Sequence, residues 1–162
     1  MAPPGMSTLS ADQISGYMRE VVALSLAEVE RGGIPFAGLV VHPGTGVLGT
    51  GVNRVFIDRD PSAHAEIVAL RAAAETTDST TLGESVLLAS GEPCGMCYEA
   101  AFEAGISTIV YAVDADEAAQ YGFDYRSSYQ LVDRTRGGAA THQPWRVEES
   151  LTPFTIWAGH HR

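Results

Sequence analysis

Cysteine and basic residues are scarce in this chain of 162 residues, and each scarcity removes a class of function. Only two cysteines occur, Cys94 and Cys97. Their close spacing suits metal ligation or redox chemistry and cannot build the disulfide framework of a small secreted protein, so the expected compartment is the reducing cytosol. Lys+Arg number 10 against 20 Asp+Glu, and the formal charge of −10 repels a phosphate backbone and leaves few cations to displace its counterions. A nucleic-acid partner is therefore not expected. Nor is a membrane, because no apolar stretch is long enough to span a bilayer. Met1 to Ser10, with prolines, a glycine and small residues, has neither the positive charge nor the apolar run of a signal or transit peptide. Residues 1–9 are expected to be disordered.

What the chain does have is enough apolar residues, 45%, for one sizeable core, so a single domain over residues 1–162 is expected. Ser10 followed by Gln13 reads as a capping box, and Ile14, Tyr17, Met18, Val21, Val22 and Val29 recur at helical spacing until Gly32-Gly33. Phe36 to Val41 and Val47 to Val52 flank Pro43-Gly44-Thr45-Gly46 as a hairpin, with Asn53 ending its second strand. The periodicity predicts a second helix from about Ala63 to Glu75, burying Ile67, Leu70 and Ala74. A strand from Val86 to Ala89, a helix from Cys94 to Ala104 and a strand from Thr108 to Val113 follow. This alternation predicts an α/β domain with helices on the faces of a mixed sheet. Arg134 to Gln143 is polar and glycine-rich and reads as a loop, while Pro153, Phe154, Ile156 and Trp157 are too apolar for a solvated tail and should pack on the domain or on a partner subunit.

Chemistry concentrates in His64-Ala65-Glu66 and Pro93-Cys94-Gly95-Met96-Cys97, each at the start of a predicted helix. One imidazole and two thiolates form a three-ligand zinc set that leaves the fourth tetrahedral position for water, the mark of a catalytic site. Cysteines at i and i+3 share a helical face, and the helix N-terminus favours their ionised form. Glu66, two residues beyond the histidine, is close enough to take a proton from water and return it to a ring nitrogen and a departing amine. His-x-Glu with Pro-Cys-x-x-Cys is the established signature of zinc deaminases. The competing readings are weaker. A closed structural site would need a fourth ligand from His42, His142, His160 or His161, none at a zinc-like spacing. A redox pair would leave His64-Ala65-Glu66 unexplained, and the ordinary reading of Glu66 is a solvated helix-start acid, which the helix dipole favours.

With these residues in view the chain resembles the cytidine-deaminase-like superfamily, and within it the bacterial guanine deaminases. Ile34-Pro35-Phe36, Gly51-Val52-Asn53, Asp60 to Glu66 and Glu92 to Cys97 carry the likeness, and Tyr121-Gly122-Phe123-Asp124 and Leu151-Thr152-Pro153-Phe154-Thr155-Ile156-Trp157 resemble that branch in particular. The resemblance implies a three-layer α-β-α fold and a homodimer in which residues 151–162 exchange between subunits. It also implies Zn²⁺-dependent hydrolysis of a nucleobase or nucleoside, guanine or a related aminopurine, with release of ammonia. Cytosine, another aminopyrimidine or an aminotriazine is the alternative substrate. By position, Glu66 is the catalytic acid/base and His64, Cys94 and Cys97 the metal ligands. Asn53 would hold a ring carbonyl or neighbouring nitrogen, the Ala65 backbone would assist, Phe36 would stack on the base, and Asp124, Tyr125 and Trp157 would complete the pocket. The ordinary readings are a strand-end turn for Asn53 and simple core for Phe36. Tyr125 stands where guanine deaminases usually carry a second acid, and a phenol cannot accept two donors side by side as a carboxylate does. An alternative has Tyr125 facing solvent, with Asp124 in the polar role.

Overall fold

The Ser10 hydroxyl accepts the Gln13 N–H at 3.1 Å, and the Gln13 side chain accepts the Ser10 N–H at 2.9 Å, closing the expected capping box. Helix α1 (Ala11–Glu30) starts there and buries Ile14, Met18, Val21, Val22 and Val29. The computed structural model describes residues 9–79, 82–134 and 142–161. Most of the stretch expected to be disordered lies outside these residues; Leu9, which is described, is buried in the core.

The hairpin forms as its turn chemistry dictates, with β1 (Ala37–His42) antiparallel to β2 (Gly46–Val52) and a register shift between Val40 and Val41. Strand β3 (Val86–Gly91) lies antiparallel to β1, and β4 (Thr108–Val113) parallel to β3. The fifth strand, β5 (His142–Pro144), overturns the loop reading at His142 and Gln143: three residues pair in parallel with Ile109, Val110 and Tyr111. Residues 135–141 of that expected loop lie outside the described residues. The sheet order is β2-β1-β3-β4-β5.

Alternation along the strands separates two cores. Leu39, Val41, Val86, Leu88 and Val110 face α1 and the C-terminal helix α6 (Thr152–His160), whose Phe154 is wholly buried in its own chain. Val40, Leu87, Ala89, Ile109 and Tyr111 face α3 (Ala65–Thr77) and α4 (Gly95–Glu103), which contribute Ala69, Leu70, Ala73, Tyr98 and Ala101. Ile67 and Leu70 are buried as expected, but Ala74 is only half-buried; the buried alanines of α3 are Ala65, Ala69 and Ala73. The architecture is thus three layers, α-β-α. Short elements without a periodic signal complete it: α2 (Val55–Asp58), α5 (Ala115–Gln120) and a 3₁₀ turn (Arg126–Leu131).

Helix α3 rides unusually close to β2. A Cβ at Gly51 would lie 2.3 Å from the Ala65 carbonyl oxygen, and one at Gly49 would lie 2.5 Å from that of Ala69. Only glycine permits this approach. Because β2 and β3 both run antiparallel to β1, they leave the sheet at the same end, and the segments that follow them meet there.

Candidate metal centre and pocket

The segment after β2 ends at His64, the N-cap of α3, and the segment after β3 ends at Cys94, the N-cap of α4. Both have extended backbones, and neither side chain caps its helix. An N-cap residue usually spends its side chain on the first-turn amides, a contribution of about 1 kcal/mol. Here both side chains turn to each other instead.

Cys94 Sγ and Cys97 Sγ lie 3.6 Å apart, and each lies 3.5 Å from His64 Nδ1. A tetrahedral ion bonded at about 2.3 Å to sulfur and about 2.0–2.1 Å to imidazole needs separations of about 3.8 Å between sulfurs and about 3.6 Å between sulfur and nitrogen. The triangle fits zinc in donor type and size. Protonation is shared unevenly across it. The Cys97 thiol and then the His64 ring hold Cys94 down to about 4, while the same Cys94 contact raises His64 and, with burial, pushes Cys97 well up. A metal ion would displace the protons kept on Cys97 and His64.

Glu66 sits in the first turn of α3, only 4% exposed. Burial is the main reason its carboxyl is raised to about 7, with the Cys94 charge adding to the effect. Beside these groups opens a cavity of about 260 Å³. Phe36 forms its floor, meeting Phe123, Tyr125 and Phe154 edge-on at 5.1, 6.2 and 5.4 Å. The ring thus both lines the cavity and packs against the core. Asn53 and Ala65 line the polar side. Asn53 Oδ1 accepts the Val55 N–H at 3.1 Å, which identifies the oxygen and leaves the NH₂ group as the donor this side chain offers. Its turn role and its pocket position are thus compatible.

One of the expected pocket residues is placed elsewhere. Trp157 is not among the residues lining the cavity: its ring lies 4.5 Å from that of Phe123 and stacks on His161 at 4.2 Å. Phe123 takes the wall position. Asp124 lines the mouth but is exposed, its carboxylate held by Arg126 at 2.8 and 2.9 Å. Tyr125 faces inward, and its hydroxyl donates to the Glu92 carbonyl at 2.6 Å. This reverses the alternative in which Tyr125 faces solvent. Ile34 and Phe123 line the cavity without having been singled out, although both fall in segments that carry the family likeness. Buried Glu92 was also missed; an acid directly before Pro93-Cys94 was the available signal.

Comparison with known proteins agrees with this geometry. Residues 11–113 match the cytidine and deoxycytidylate deaminase zinc-binding region. Guanine deaminase from Bacillus subtilis is 32% identical over 143 residues, 87% of this chain and 91% of that protein. The crystal structure of a guanine deaminase from the same organism superposes with a TM-score of 0.67 at 30% identity, over 89% of this chain and 92% of that one. A structure solved in complex with 2,6-diaminopurine gives a TM-score of 0.74 at 26% identity, over 96% of this chain and 83% of that one.

Proposed function

The chain belongs to the cytidine and deoxycytidylate deaminase family and is a zinc-dependent hydrolytic deaminase; from that premise we propose that it removes the amino group of a free purine base, guanine or a close aminopurine. The observation that carries this reading is the cavity of about 260 Å³ opening directly on His64, Glu66 and Cys94. It falls just under the range of about 300–1,000 Å³ typical of drug-sized ligands, which favours a bare ring over a nucleoside. Its aromatic walls suit a flat heterocycle. The guanine deaminase relative and the 2,6-diaminopurine complex of a structural neighbour support the choice of purine.

His64, Cys94 and Cys97 are assigned as ligands of the ion. Zinc held there would supply an activated water, its pKa lowered towards about 7. The chain's own residues do the rest. Glu66 takes one proton from the attacking water and delivers it to the ring nitrogen next to the amino-bearing carbon; it then carries the remaining proton of the added hydroxyl to the amine, so that the C–N bond breaks, ammonia leaves and a ring carbonyl remains. A carboxyl raised towards neutrality by burial is suited to both directions of transfer. The Asn53 NH₂ group donates to a ring acceptor. So does the Ala65 N–H, a first-turn amide of a helix without a side-chain cap. Phe36 stacks on the ring.

One observation favours a second substrate class. With Tyr125 engaged by the Glu92 carbonyl, the Asp124 carboxylate held by Arg126 and that of Glu92 by Arg134, Glu66 is the one carboxylate among the described lining residues not tied to an arginine, which suits cytosine, another aminopyrimidine or an aminotriazine. We read the protein as a cytoplasmic homodimer acting on small molecules. Phe56 and Ile57 on α2, 94% and 71% exposed, are the apolar surface a second copy would cover. No described helix is long and apolar enough to cross a membrane.

Ammonia release from a panel of guanine, guanosine, 2,6-diaminopurine, cytosine, cytidine and aminotriazines, with Glu66→Gln as blank, tests the assignment. Turnover confined to purine bases supports the first reading. Turnover confined to pyrimidines or triazines transfers it to the second.

A further inference from the structure

The side chain of Cys94, the assigned ligand, makes no capping bond to its own helix, and Pro93 beside it has no N–H to give. The loop is secured from elsewhere. The Tyr125 hydroxyl donates to the Glu92 carbonyl at 2.6 Å, and the Tyr129 hydroxyl donates to the Pro93 carbonyl at 2.5 Å. On the other side of Cys94, the Gly95 N–H donates to Ser128 Oγ at 2.8 Å, while that hydroxyl donates to the Tyr125 carbonyl at 2.6 Å. Contact is so close that a Cβ at Gly95 would lie 2.4 Å from the Ser128 carbonyl oxygen. Three side chains of one short turn thus bond the residues before and after the ligand.

We propose that Tyr125, Ser128 and Tyr129 are positioning residues that strap the Glu92–Gly95 loop and fix Cys94 at the metal. The proposal rests on the assignment of Cys94 as a ligand. It gives Tyr125 a task different from that of the acid usually found there: its ring faces the substrate, while its hydroxyl acts on the metal loop. The alternative, that these bonds only add to general stability, makes a different prediction. Loss of a strap bond should loosen the metal more than it loosens the fold, because the buried carbonyls it leaves unpaired belong to the ligand loop itself.

Zinc affinity by chelator competition and the visible spectrum of the Co²⁺-substituted full chain would be compared for wild type, Tyr125→Phe/Tyr129→Phe, Ser128→Ala and Ser128→Thr. Tyr121→Phe, which removes a hydroxyl elsewhere, serves as control. The double variant should bind zinc about 10–100-fold more weakly, the usual cost of losing outer-shell partners. Its cobalt bands should shift, while the urea midpoint without metal stays with that of Tyr121→Phe. Ser128→Thr should restore what Ser128→Ala loses. Unchanged affinity and spectrum overturn the strap, as does an affinity loss fully matched by lost metal-free stability. If the double variant does not fold, the two Ser128 variants decide by the same readouts. A wild type that takes up no stoichiometric zinc overturns the ligand assignment as well, so the two failures are distinct.

Discussion

The Tyr98 hydroxyl donates to the Glu92 carboxylate at 2.8 Å, tying the first turns of α4 to the end of β3. Arg134 reaches the same oxygen at 2.8 Å, and the Ala115 N–H donates to the other at 2.9 Å. Glu92 is 3% exposed and Tyr98 wholly buried, so neither group has water to fall back on. Glu92→Ala should therefore cost about 3–5 kcal/mol in urea denaturation, because it strands a buried hydroxyl and part of an ion pair. Glu92→Gln, which keeps an acceptor, should cost clearly less. Equal costs would show that the acceptor kept by Glu92→Gln carries no weight there.

Glu66→Gln should keep one zinc per chain, since the ligand triangle does not use this side chain. Turnover should fall by a factor of about 10²–10⁴, the range for loss of a positioned proton carrier. Elemental analysis beside an ammonia assay checks both halves. A fully active variant would remove Glu66 from the chemistry.

Gly51→Ala forces a methyl into the backbone of α3, and the helix must shift to admit it. Overpacking of this kind costs about 1–3 kcal/mol. Because His64 and Glu66 start that helix, activity should fall further than the stability loss explains when both are assayed well below the melting temperature. Activity that simply tracks the folded fraction would argue against the coupling.

Asp60 accepts from the Ser62 hydroxyl and N–H and from Arg71, and these bonds hold its carboxyl down to about 2 from 3.8. A folded-state value below the unfolded one means that the stabilising contribution is complete above about 4 and disappears as pH falls through about 2. The difference in urea midpoint between wild type and Asp60→Asn should thus be constant near neutrality and close between pH 4 and 2. A difference independent of pH would mean that the charge of Asp60 is not what secures the loop leading to His64.

The metal centre was legible because its information is local. His64 with Glu66, and Cys94 with Cys97, are fixed by spacing at the starts of two helices, and the structure had only to bring the two starts together. The pocket walls were less so. Nothing in the order of residues says that Phe123 takes the wall and leaves Trp157 behind it, because that depends on how α6 seats against the sheet. Tyr125 was visible as a substitution, but the direction of its hydroxyl is a tertiary fact. Strand β5 was hidden for a similar reason: His142-Gln143-Pro144 has no strand-like composition and is recruited by the open edge of β4.

His64 and Cys94 occupy the capping positions of their helices without capping them. Both side chains are thereby kept for the ion, while the first amide of α4, that of Gly95, goes to Ser128 Oγ. Binding of the ion at these side chains should therefore stabilise the fold, so that removing the metal should lower the melting temperature. Zinc depletion should then lower the amount of folded protein together with its activity.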